Sequence, residues 1–124
     1  MQPPLGAMLI SITDPEAPDA LLKAGWAQLL RLRFHDADPV TFPGTNPGLS
    51  PMSFAQAVQL ASFLREHRSK NNRIVIHCKS GISRSAGAAK AVASWLGARF
   101  PPEYQEYNRH VHLLVSRALE QNEA

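Results

Sequence analysis

The chain holds a single cysteine, and it lies in the stretch "IVIHCKSGISRSAG". An apolar run of β-branched residues leads into Cys78, a short loop with Gly81 follows, and a helical pattern opens at Arg84. A loop joining a strand to a helix start gathers backbone N–H groups around one point, which suits a phosphate-like anion. A thiol at the mouth of that nest has its thiolate stabilised by the same dipoles, so its pKa falls and it becomes a nucleophile near neutral pH. Arg84 can fold back over the loop, and its planar fork matches two oxygens of a phosphoryl group in a way Lys cannot copy. Gly81 supplies the backbone freedom for the curl. The competing reading of Cys78 is a buried structural cysteine at a strand end.

"HCKSGISRS", residues 77–85, resembles the H-C-x-x-G-x-x-R-[ST] signature loop of the cysteine-dependent protein tyrosine phosphatases at every defined position. The resemblance implies that Cys78 attacks phosphorus and forms a phosphocysteine. It implies that Arg84 binds the phosphoryl oxygens and that Ser85 hydrogen-bonds the thiolate and helps it leave. His77 would orient the loop, and the loop residues Lys79, Ser80, Gly81, Ile82, Ser83 and Arg84 would cradle the substrate phosphate. No metal and no cofactor are implied. The family also takes a general acid from an Asp after an earlier strand, which here places Asp36 in "LRFHDADP", with Asp38 as the alternative. Asp38 also reads as a turn cap before Pro39. The loop that follows, "VTFPGTNPGLSP", is longer than is usual in the family, so it could displace the acid or border the substrate mouth.

The compact dual-specificity branch is the nearest in layout. It implies hydrolysis of phosphotyrosine in a protein or peptide, with a shallow pocket that could also admit phosphoserine and phosphothreonine. Ile82 stands where lipid-directed relatives carry a second basic residue, so it would offer an apolar wall to an aromatic ring instead of a contact to a phosphoinositide. Alternative readings are a phosphate-binding pseudophosphatase without turnover, a phosphatase acting on a phosphoinositide or other non-protein phosphate, and a sulfur-transfer or arsenate-reducing domain. The last would want a second thiol.

These residues need a frame. "MLISI" (8–12) alternates as a strand and ends at "TDP"; "DALLKAG" (19–25) predicts a short helix stopped by Gly25. "LLRLRF" (29–34) has the period of a half-buried strand. Ser50–Pro51 reads as a helix start, with Phe54, Ala57, Val58, Ala61 and Leu64 on one face. "RIVIH" (73–77) predicts a central strand. Arg84 to Leu96 predicts a helix whose small residues let it lie close to a sheet. A last helix is expected directly after Pro101 and Pro102, with Tyr104, Tyr107, Val111, Leu114, Val115 and Ala118 facing inward. Strands alternating with helices predict an α/β fold: one domain over 1–124, a three-layer sandwich with a mostly parallel central sheet flanked by helices.

Composition sets the outer bounds. The 124 residues suit one domain, and 44% apolar with 19% charged residues is ordinary for a globular protein. A net charge of +3 permits an anionic partner, but Lys and Arg are dispersed and not interleaved with aromatics, so no nucleic acid is expected. "REHRSKNNR" (65–73) reads as a solvated helix end. No run reaches membrane-spanning length, the first residues lack a leader pattern, and a lone thiol suits a reducing compartment. The expectation is a cytoplasmic protein without a membrane partner. His110 and His112, two apart on a helix, point to different faces and are not expected to bind metal.

Overall fold

Three parallel strands carry the molecule: β1 (Ala7–Thr13), β2 (Gln28–Arg33) and β3 (Arg73–His77), in the order β2-β1-β3. The computed structural model describes residues 6–44, 48–68, 73–79 and 81–121. Three helices complete it, α1 (Phe54–His67), α2 (Arg84–Leu96) and α3 (Arg109–Glu120). Among the described residues no helix is long and apolar enough to cross a membrane.

The register explains which side chains form the core. Ile10 lies opposite Leu30 and Ile76, and Ile12 opposite Leu32, so the even-numbered residues share one face. That face joins Ala57, Leu60 and Leu64 of α1, Ala88 and Val92 of α2, and Val111 and Val115 of α3 in a single apolar cluster. Each large side chain fully buried there contributes roughly 1.5–3 kcal/mol. Gly87 of α2 is a point of close approach: a Cβ there would stand 2.5 Å from the backbone oxygen of Asn108. The small residues of α2 therefore bring it close to the start of α3 as well as to the sheet.

Four expectations need correction. β3 is not central; β1 is, and it alone is buried along nearly its whole length because neighbours flank it on both sides. No helix forms at 19–25. Its groups are used otherwise: Arg31 donates to Ala20 O at 3.3 Å and Asp19 pairs with Arg33, which also donates to Ala17 O at 2.6 Å just ahead of the segment. Seven residues with Leu21 fully exposed offer too little packing to nucleate a helix against that competition. As a result the odd-numbered face of the sheet, with Leu9, Val75 and His77, borders the irregular segment containing Leu22 and Trp26, and not a helical layer.

The helix expected at Ser50–Pro51 starts later. Ser53 and Gln56 form a reciprocal capping box, whereas Ser50 N–H donates to His35 Nδ1 and Ser50 O accepts from His35 N–H. α3 likewise starts at Arg109, not after Pro102, because Asn108 is its N-cap. Tyr104 and Tyr107 precede the helix, and the Tyr104 hydroxyl donates to the Ile82 carbonyl.

Candidate functional site

The three strands are parallel, so their carboxyl ends lie together, and the chain leaves β1 toward β2 on one side and comes back as β3 on the other. Ligands of open α/β sheets bind outside the strand ends at such a switch point. Here Asp14 follows β1, Phe34 to Asp36 follow β2, and Cys78 follows β3.

Cys78 is 8% exposed, and its sulfur lies against the start of α2. Sγ is 3.2 Å from the Ser85 hydroxyl and accepts the Ser85 N–H at 3.4 Å. Burial pushes the thiol up; hydrogen bonds from the Ser85 hydroxyl and N–H and from Gly81 N–H, with the Arg84 charge, outweigh it and leave the pKa below the ordinary value. Gly81 has φ 70°, a left-handed conformation that other residues adopt at a cost.

Arg84 is 5% exposed. Its Nη1 donates to Asp14 Oδ1 and to the Phe34 carbonyl, both at 2.8 Å. His77 Nε2 is hydrogen-bonded to Ser11 Oγ of β1 at 2.7 Å. Burial and then the Arg31 charge lower its pKa, which favours the neutral ring. Lys79 and Ile82 are exposed, Ile82 by 48%. Ser80 lies outside the described residues.

The two aspartates have separate surroundings. Asp36 is exposed, and its Oδ1 accepts from Ser83 Oγ and from Asn108 Nδ2, each at 2.9 Å. The structure thus places Asp36 against the residue preceding Arg84. Asp38 lines the same cleft as Asp36 and Ser83, with its carboxylate engaged at the start of α3. Its carboxylate accepts the N–H groups of Arg109, His110 and Thr41 and the Thr41 hydroxyl. Burial raises the Asp38 pKa, and these hydrogen bonds outweigh burial, leaving it lowered. Asp38 caps α3.

Two clefts adjoin the loop. One, of about 430 Å³, is lined by Cys78, Lys79, His77 and Asp14 together with Ile12 and Pro18. The other, of about 500 Å³, is lined by Asp36, Asp38 and Ser83 with Phe42, Tyr107 and Arg109. Thr41 and Phe42 of the long loop therefore border the cleft on the Asp36 side. Among the described residues no group of three or more His, Cys, Asp or Glu side chains could hold a metal ion. His110 Nε2 is hydrogen-bonded to the Met52 carbonyl, and His112 stacks edge-on with Tyr107.

Sequence reading missed Asp14 and Asn108. Asp14 carried a usable signal, since "TDP" closes a strand and strand ends are where ligands gather. Asn108 is a favourable N-cap type, but the pattern from Tyr104 onward ran through it. In comparisons with protein-family models, curated proteins and solved structures, no match to this chain was found.

Proposed function

We propose that the chain is a cysteine-dependent phosphatase that hydrolyses phosphotyrosine in proteins, and phosphoserine or phosphothreonine where the pocket admits them, through a phosphocysteine intermediate. One observation carries the reading: the only thiol in the chain is held at the start of α2 by Ser85 and Gly81 with Arg84 beside it, an arrangement that lowers its pKa. A structural cysteine has no need of such donors. The same proposal extends to the fold, a phosphatase-like α/β domain with the nucleophile loop at the carboxyl end of its parallel sheet.

In the first step the Cys78 thiolate attacks phosphorus, the P–O bond to the substrate breaks, and Asp36 passes its proton to the departing oxygen. Among the described residues both hydrogen bonds to Asp36 end on Oδ1, so Oδ2 is the oxygen assigned to carry that proton. The Nε–Nη2 edge of Arg84, opposite its Nη1 anchor, takes two equatorial phosphoryl oxygens. In the second step water attacks phosphorus and gives a proton to Asp36. The P–S bond breaks, and the Ser85 hydroxyl donates to the returning thiolate. Exposed Ile82 supports an aromatic leaving group over a phosphoinositide, which would want a cation there.

The test is Cys78→Ser. Turnover of an aryl phosphate should vanish while phosphate still binds, because the cradle is largely backbone. Acid-quenched wild type should carry a phosphoryl adduct on Cys78, detectable by intact mass. Near-normal turnover by the variant would remove Cys78 from the mechanism. Phosphate binding without turnover or adduct in the wild type would favour the pseudophosphatase reading.

A further inference from the structure

Arg84 lies almost wholly out of solvent, and a buried guanidinium is costly unless paired and hydrogen-bonded. Among the described residues both of its hydrogen bonds leave from one nitrogen, Nη1, to Asp14 Oδ1 and the Phe34 carbonyl. The two acceptors are tied to each other through the strand ends, since Phe34 N–H donates to Thr13 O at 3.0 Å. Two acceptors fixed in space on one end of a planar group define where its other edge points.

We propose that Asp14 is a positioning residue of the site, aiming the Nε–Nη2 edge of Arg84 at a bound oxyanion; this rests on the phosphoryl-transfer reading above. A carboxylate beside an anion site repels the anion, so a site that only needed charge would be better without it. What Asp14 supplies is orientation. Its bond occupies Nη1, the nitrogen remote from the Nε–Nη2 fork. It is also the negative partner that allows the guanidinium to be buried beside Cys78.

The experiment compares wild type, Asp14→Ala and Asp14→Asn, alone and combined with Arg84→Lys. Readouts are kcat and KM on an aryl phosphate, the concentration of inorganic phosphate that half-protects Cys78 from iodoacetate, and the melting temperature. Loss of a charge-assisted hydrogen bond corresponds to about a 10- to 100-fold effect. Asp14→Ala should weaken phosphate protection and raise KM within that range. Asp14→Asn, which keeps an oxygen acceptor, should retain part of the loss-free behaviour. In the Arg84→Lys background either change should add almost nothing, because the residue acts through the guanidinium. A lowered melting temperature with unchanged phosphate protection and KM would make Asp14 merely structural and overturn the proposal. Tighter phosphate binding in Asp14→Asn would also overturn it, by showing that Asp14 competes with the anion for Arg84. If wild type neither binds phosphate nor turns over, the phosphatase reading falls and this proposal with it. If wild type does both and the variants match it, this proposal alone falls.

Discussion

The starts of α2 and α3 apply the same physics to opposite ends. At α3 all four leading N–H groups have acceptors: Arg109 and His110 donate to Asp38, Val111 to Asn108 Oδ1 at 3.0 Å, and His112 to Asn108 O at 3.1 Å. At α2 the N-cap Ser83 makes no side-chain cap bond, because its hydroxyl is drawn away to Asp36. Among the described residues the side-chain acceptor at that terminus is the Cys78 sulfur. Both termini carry the partial positive charge of the helix dipole. A fixed internal carboxylate turns it into stability at α3; a thiol turns it into a lowered pKa at α2.

The comparison can be broken most severely at Asp36, which links the two termini by accepting from Ser83 and Asn108. Asp36→Asn preserves Oδ1 as an acceptor but cannot give a proton, so phosphotyrosine hydrolysis should slow by roughly 10²–10⁴-fold. A substrate whose leaving phenol is acidic should slow much less, and the alkaline limb of the pH–rate profile should flatten. Equal losses on both substrates would take Asp36 out of the acid role.

Arg84→Lys keeps the charge at the α2 terminus and removes the fork. We expect kcat to fall about 10²–10³-fold with a rise in KM, measured by steady-state kinetics. Recovery of most of the rate would reduce Arg84 to a general electrostatic role.

Ser85→Ala removes one donor to the sulfur and leaves the backbone bonds. Burial already pushes the Cys78 thiol up, so losing the hydroxyl raises its pKa toward the ordinary thiol value. The acid limb of the kcat/KM profile should move to higher pH, and iodoacetate labelling at neutral pH should slow. A profile that stays in place would exclude the hydroxyl as a source of the lowering.

Asp38→Asn should have the smallest effect on turnover and act on stability, at about 0.5–2 kcal/mol as for other helix caps. The sign follows from linkage. A carboxyl lowered on folding adds stability that is fully present above its unfolded value, near 3.8, and is lost as pH falls through the folded value. The difference in melting temperature between wild type and variant should thus be greatest near pH 7 and shrink in strong acid. A difference independent of pH would assign the loss to geometry and not to charge.

Local patterns made much of the frame legible. The β1 and β2 spans were readable to within a residue or so, and β3 and α2 to their ends, because a period of 2 or 3.6 reflects burial of one face and needs only neighbouring residues. Where the pattern was short or interrupted, side chains from distant segments took over. Arg31 took the Ala20 carbonyl and Arg33 the Asp19 carboxylate within 19–25. His35 held Ser50 so that Ser53 became the cap.

Sequence by itself determined the chemistry available to the loop: one thiol, an arginine six positions on, a serine beside it, and a glycine to turn the chain. These lie within a few residues of each other, so backbone geometry alone brings them near. Only the tertiary structure decided the division of labour among the aspartates. Asp14, Asp36 and Asp38 are alike in type; the sequence put Asp36 ahead of Asp38, which reads as a turn cap before Pro39, and gave Asp14 no role at the site. The parallel order β2-β1-β3 brought Asp14 to the guanidinium of Arg84. The approach of α3 to α2 at Gly87 brought Asn108 to Asp36 and left Asp38 to close the first turn of α3. Those contacts span some 70 residues of chain, and a pairing over that separation is fixed by packing, which no local pattern encodes.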